Sequence, residues 1–138
     1  DSALLIPARA LLANMRGAME SQTIHQALIQ LWEVVGEANR YVDSQAPWAL
    51  KKTDPARMAT VLYVLAEVIR HLAILAQPVV PDAASKMLDQ LAVPEDQRSF
   101  AALNDAGMLV PGTPLPKPQG VFPRYSGPEE GDDAKSGA

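Results

Sequence analysis

This sequence predicts an all-α fold, an antiparallel helical bundle followed by a Pro/Gly-rich extended C-terminal peptide. Two observations carry the prediction. Apolar residues recur at steps of three, four and seven through most of the chain, the spacing of one helix face. Beyond Gly107 that pattern stops, and six of the twelve prolines fall between Pro111 and Pro128 with glycines among them, which excludes regular helix there. With 138 residues and 48% hydrophobic content the chain can build one core, hence one domain and a tail.

The first helix runs from about Ala3 to Glu20, with Leu4, Leu5, Leu11, Leu12, Met15 and Met19 on one face. The chain opens without Met and inside what reads as an element, so a fragment of a longer polypeptide is expected. Ser21 or Thr23 can cap the second helix, whose stripe is Ile24, Leu28, Leu31, Val35, Ala38 and Val42. Trp32 lies beside that stripe and reads as core. Pro47 ends the element, since the residue before a proline is driven out of the α region and the ring cannot donate to a helical ladder. Asp54-Pro55 is an N-cap with proline in the first helical position. The run Met58, Val61, Leu62, Leu65, Val68, Ile69, Leu72 and Leu75 follows, apolar over a wide arc and so central. Pro78 and Pro81 stop it, Asp82 recaps, and Ala84, Met87, Leu88 and Leu91 make a shorter helix up to Pro94. The organisation is a bundle over 1–107, an extended peptide over 108–125 in which Leu115, Val121, Phe122 and Tyr125 are apolar enough to dock, and an acidic flexible tail over 126–138.

Several chemistries are excluded by what the chain lacks. It has no cysteine, so no disulfide framework, thiol nucleophile or Cys-based zinc site. His25 and His71 stand on separate helices and read as structural or surface residues. Gly17 and Gly36 are isolated within helices, and no phosphate-cradling loop is present. Glu129 and Glu130 sit in the tail, where burial cannot tune a carboxylate. We find neither a leader pattern nor an uninterrupted apolar run of about 18 residues, so no membrane is expected and the cytosol is. A net charge of −4 argues against a general grip on duplex DNA through phosphates. Any nucleic-acid contact is local.

The stretch from Ala38 to Lys52 is where such a contact is expected. It closes an amphipathic helix on Pro47-Trp48 and follows with Lys51 and Lys52. An indole offers a flat face to an unpaired base, worth roughly 1–3 kcal/mol, while ammonium groups hold phosphates. A Trp after a helix more commonly caps a core, and a wider pattern weighs against that reading. Ala38-Asn39-Arg40-Tyr41-Val42-Asp43, Ala46-Pro47-Trp48, Gln77-Pro78-Val79-Val80-Pro81 and Gly120-Val121-Phe122-Pro123-Arg124 occur in order. Together they resemble the anticodon-binding domain of bacterial methionyl-tRNA synthetases, over about Asp1 to Tyr125.

That resemblance implies the class I synthetase anticodon-binding type of bundle, here lacking its first helix, and a partner in the anticodon loop of tRNA(Met). It implies that the CAU anticodon is unstacked at the bundle's end, with one base on Trp48. Pro47 would fix the approach of the indole. Asn39 would touch a base edge or hold the corner's backbone, its amide both donating and accepting. Arg40 would contact phosphate, stack on a base or pair with Asp43. Asp43 would repel wrongly seated RNA, and Lys51 and Lys52 would contact the backbone. The extended peptide would fold back toward the catalytic domain of the same polypeptide, where ATP, Mg and methionine are handled. None of that domain's signature motifs occurs in this chain, so no catalytic residue and no cofactor is expected here. Two other readings stay open: the anticodon domain of another class I synthetase, and a non-enzymatic helical adaptor with Trp48 as a core cap. Exposure of Trp48 separates platform from cap.

Overall fold

The computed structural model describes residues 1–124. Five helices, α1 (Ser2–Glu20), α2 (Ile24–Gln45), α3 (Pro47–Thr53), α4 (Pro55–Ala76) and α5 (Pro81–Gln90), precede three single 3₁₀ turns at Glu95–Gln97, Phe100–Ala102 and Asp105–Gly107. No strand occurs among the described residues. α1 and α2 form a hairpin, and α4 packs against α1, α2, α3 and α5. Its central place follows from its composition: Val61, Val64, Leu65, Val68, Leu72 and Leu75 are all buried. They meet Leu4, Ala8 and Leu11 of α1 and Val34 of α2. A second cluster joins Ala73 and Ile74 to Leu88 of α5 and to Val93. α4 is long and apolar enough to cross a bilayer by length and composition, with mean hydropathy 1.7. Its place in the core accounts for that apolarity here.

The helix boundaries differ from expectation in instructive ways. Thr23 stands at the N-cap of α2 but its side chain makes no capping bond there, and Ser21 lies outside the cap. Their hydroxyls donate backward, Thr23 to Ala18 O at 2.9 Å and Ser21 to Gly17 O at 3.0 Å, so they close α1 instead. Asp54 does cap α4, accepting from the Arg57 N–H at 2.9 Å, with Pro55 in the first turn. α5 begins on Pro81, leaving Asp82 inside the first turn rather than at the cap. The buried face of α2 is rotated from the expected stripe: Ala27 and Val34 are buried while Ile24 is exposed. Trp32, expected in the core, points to solvent at 66% exposure, because the true core face runs through Ala27, Val34 and Tyr41 and leaves position 32 opposite it. On α4, Leu62 and Ile69 also lie outside. Leu11 is fully buried, whereas Met15 and Val35 are partly covered.

The core of α4 also holds Glu67, Arg70 and His71, all buried. Arg70 donates to Glu67 Oε1 through Nε at 3.0 Å and Nη2 at 2.5 Å, and through Nη1 to Ala102 O at 3.0 Å. Glu67 Oε2 accepts the Leu109 N–H at 3.1 Å, and the Tyr63 hydroxyl donates to Leu109 O at 2.8 Å. This ionic cluster anchors the residues after α5 to the bundle. Gly107 is required by the same arrangement, since a Cβ there would stand 2.1 Å from Ala102 O. Further on, the side chain of Gln90 exchanges two hydrogen bonds with the backbone of Gln119, at 3.0 and 3.1 Å. The extended peptide is thus held by backbone bonds, with Leu115 and Phe122 exposed and Val121 partly covered. Tyr125 and the acidic tail expected over 126–138 lie outside the described residues.

Candidate nucleic-acid interface

α2 stops at Gln45 because Ala46 turns left-handed, with φ 44° and ψ 60°, and Pro47 follows with no N–H to offer. The residue before the proline does leave the right-handed α region, though for the αL region rather than the extended one. An L-residue adopts that conformation at a cost, offset here by burial of Pro47 and by bonds from Ala49 and Leu50 N–H to Ala46 O at 2.8 and 3.3 Å. The corner is not a simple turn. Pro47 opens a seven-residue helix, α3, with proline in its first turn and Lys51 and Lys52 in its last, where the helix dipole favours cations.

This helical register assembles the site. Trp48, Lys51 and Lys52 stand at i, i+3 and i+4 and therefore share one face. All three are exposed, the indole at 64%, while the half-buried Leu50 packs against the core. Neither lysine makes an ion pair among the described residues, so both ammonium groups are available. Pro47 is buried and offers no surface of its own.

Asn39 and Arg40 stand on α2, not α3. Asn39 is exposed and six residues before the helix end, about 9 Å of rise. Its amide makes no hydrogen bond among the described residues, so it does not brace the corner. Arg40 is exposed and pairs with Glu37 at 2.5 Å across one turn, not with Asp43. The hydrogen bond to Glu37, and then its charge, raise the guanidinium pKa further, which keeps Arg40 cationic. Exposed pairs of this kind exchange readily for another anion. Asp43 is exposed beside them.

A network absent from the sequence reading lies behind this surface. Arg57 donates to both carboxylate oxygens of Asp1 at 2.7 Å and to Gln45 Oε1 at 2.6 Å, and the Tyr41 hydroxyl donates to Asp1 Oδ1. No local signal could reveal a bond between residues 56 positions apart.

No group of three or more His, Asp or Glu able to hold a metal ion occurs among the described residues. The site is an open face carrying one aromatic plane and two exposed ammonium groups.

Comparison with known proteins bears on the same residues. The family described as the anticodon binding domain of methionyl tRNA ligase matches residues 1–135. The methionine–tRNA ligase of Rhizobium meliloti (strain 1021) is 57% identical over 129 residues, covering 94% of this chain and 25% of that protein. That of Mycobacterium leprae (strain TN) is 50% identical over 138 residues, covering 96% of this chain and 25% of the relative. Among solved structures, the apo form of Mycobacterium tuberculosis methionyl-tRNA synthetase superposes with a TM-score of 0.86 at 48% identity, covering 93% of this chain and 26% of that one. The form bound by methionyl-adenylate gives 0.84 at 47% identity, covering 89% and 25%. The chain spans about a quarter of the length of the curated relatives it matches. Sequence and fold agree, and the chain belongs to the family of the anticodon binding domain of methionyl tRNA ligase.

Proposed function

We propose that this chain is the anticodon-reading part of a methionine–tRNA ligase and binds the CAU loop of tRNA(Met), with Trp48 as the plane on which one unstacked anticodon base rests. One observation carries the reading: the exposed indole shares its face of α3 with two unpaired ammonium groups. A core cap would bury both faces of Trp48, so its exposure favours the platform over the adaptor. Lys51 and Lys52 take flanking phosphates, Asn39 offers its free amide to a base edge, and Arg40 exchanges Glu37 for phosphate. Pro47 acts from within by setting the direction of α3.

The ligase as a whole attaches methionine to tRNA(Met) in the cytosol using ATP and Mg, in a catalytic domain of the same polypeptide. Methionyl-adenylate bound to the Mycobacterium tuberculosis relative is the activated intermediate expected of ATP and methionine. This chain contributes the identity check on the tRNA and takes no part in forming that bond.

The test is fluorescence of Trp48 in a Trp32→Phe background, needed because Trp32 is also exposed. A CAU anticodon stem-loop is titrated against one with its first anticodon base changed. Quenching that requires CAU, with binding weakened roughly 5- to 150-fold in a Trp48→Ala variant followed by labelled RNA, is the expected result for one lost base stack. Equal binding of both loops, or CAU binding indifferent to Trp48, overturns the assignment.

A further inference from the structure

We propose that Arg57 is a positioning residue for the anticodon face: it closes α3 into a staple and so sets the angle at which Trp48 is offered. The inference rests on the reading of Trp48 as a stacking platform.

α3 is only seven residues long, too short to hold its own shape in water. Pro47 and Leu50 seat it on the core, and its ends are a strained Ala46 and Asp54. Arg57 bonds to the residues on either side of this segment. Its guanidinium binds the side chain of Gln45, the last residue of α2, at 2.6 Å. At the other end of α3, the carboxylate of Asp54 accepts the residue-57 backbone N–H at 2.9 Å, the N-cap bond of α4, which any side chain at 57 leaves in place. The same guanidinium takes both oxygens of Asp1 at 2.7 Å, and Tyr41 donates to that carboxylate from α2. One planar fork therefore ties the start of α1 and the end of α2 to the first turn of α4, across α3. A lysine cannot reproduce this, because it has no fork with which to grip a carboxylate and an amide at once. Partly covered and committed to three hydrogen bonds, the guanidinium of Arg57 differs from the exposed Arg40 and is a poor phosphate ligand, which separates its role from that of Lys51 and Lys52.

The test uses the 138-residue chain in the Trp32→Phe background, with Arg57→Gln, Arg57→Lys and Gln45→Ala. Without RNA, the fluorescence anisotropy of Trp48 is expected to fall in Arg57→Gln and to recover only partly in Arg57→Lys, with far-UV circular dichroism unchanged. With RNA, Arg57→Gln weakens binding of the CAU stem-loop about tenfold, the order of one lost stack, while the dependence of log affinity on log salt keeps its slope. A slope reduced by about one would make Arg57 a direct phosphate contact and overturn the proposal. So would unchanged Trp48 anisotropy in a folded Arg57→Gln protein. Should Arg57→Gln fail to fold, Gln45→Ala decides: it removes the guanidinium bond that spans α3, and Trp48 anisotropy equal to the parent in that folded variant refutes the clamp. Absence of CAU-dependent binding in the parent protein refutes the anticodon reading alone, because the anisotropy arm contains no RNA.

Discussion

Replacing Glu67 by Ala should be among the most damaging single changes in the bundle. The carboxylate is 1% exposed and Arg70 is wholly buried. It accepts two bonds from the guanidinium, at 3.0 and 2.5 Å, and one from the Leu109 N–H at 3.1 Å. Its loss leaves a buried cation with Ala102 O as its remaining acceptor and a backbone donor with none. Breaking one partner of a buried pair costs about 3–5 kcal/mol, a fifth or more of the roughly 5–15 kcal/mol that holds such a domain. Urea denaturation followed by far-UV circular dichroism measures it. Glu67→Gln, which keeps an oxygen for Leu109, should lose less. Glu67→Ala with Arg70→Met should recover much of the loss, since an apolar replacement of the whole pair removes the stranded charge. A cost under about 1 kcal/mol for Glu67→Ala, or a double variant no better than the single one, would refute this account of the cluster.

Other expectations follow from the same contacts. Burial, foremost, holds the His71 pKa below its ordinary value, opposed by the Glu67 carbonyl and helped by Arg70. The unfolded chain therefore takes up a proton near pH 6.5 that the folded chain refuses, so stability falls as pH drops through that range. In a His71→Gln variant the slope of urea midpoint against pH between 7 and 5.5 should flatten, and an unchanged slope would remove His71 from the acid response. Gly107→Ala should cost about 1–3 kcal/mol by overpacking, because its Cβ meets the Ala102 backbone at 2.1 Å; an unchanged urea midpoint would contradict it. Leu88→Ala, at a fully buried position, should cost about 2–5 kcal/mol in the same assay. Trp32→Phe, at an exposed position, should change stability by no more than about 0.5 kcal/mol, and a larger loss would return Trp32 to the core.

What the sequence disclosed depended on the range of the interaction. Pro47, Asp54-Pro55 and Pro81 act on their immediate neighbours, and the helix boundaries fall at them. α3 escaped notice because a proline that ends one helix can also open the next, and the lysines at its far end carried the missing signal. The error over Trp32 was one of phase: a wide amphipathic stripe tolerates rotation about its axis, and only packing against α1 and α4 fixes it. Glu67, Arg70 and His71 were hidden in an apolar run, although acid and base at i, i+3 and i+4 within such a run are themselves a sign of a buried pair. The exposed indole and its lysines were legible because they lie within five residues. Asp1, Tyr41, Gln45 and Arg57 were not, because folding alone brings them together.

The two polar networks divide the molecule's work. Around Glu67, charge is buried in the middle of α4 and secures the C-terminal residues to the bundle, so its failure is read as lost stability. Around Arg57, charge is only partly covered and contributes little to the total, since such pairs are worth a fraction of a buried one. Its position is what matters: it joins the end of α2 to the first turn of α4 across the short helix that displays Trp48. Changes at Glu67 should therefore move the unfolding midpoint and leave the RNA affinity of the still-folded protein nearly unchanged, whereas changes at Arg57 should move affinity with the midpoint nearly still. Measuring both quantities on both variants separates a residue that keeps the fold from one that aims the site, and parallel behaviour of the two would show that the bundle responds as a single unit.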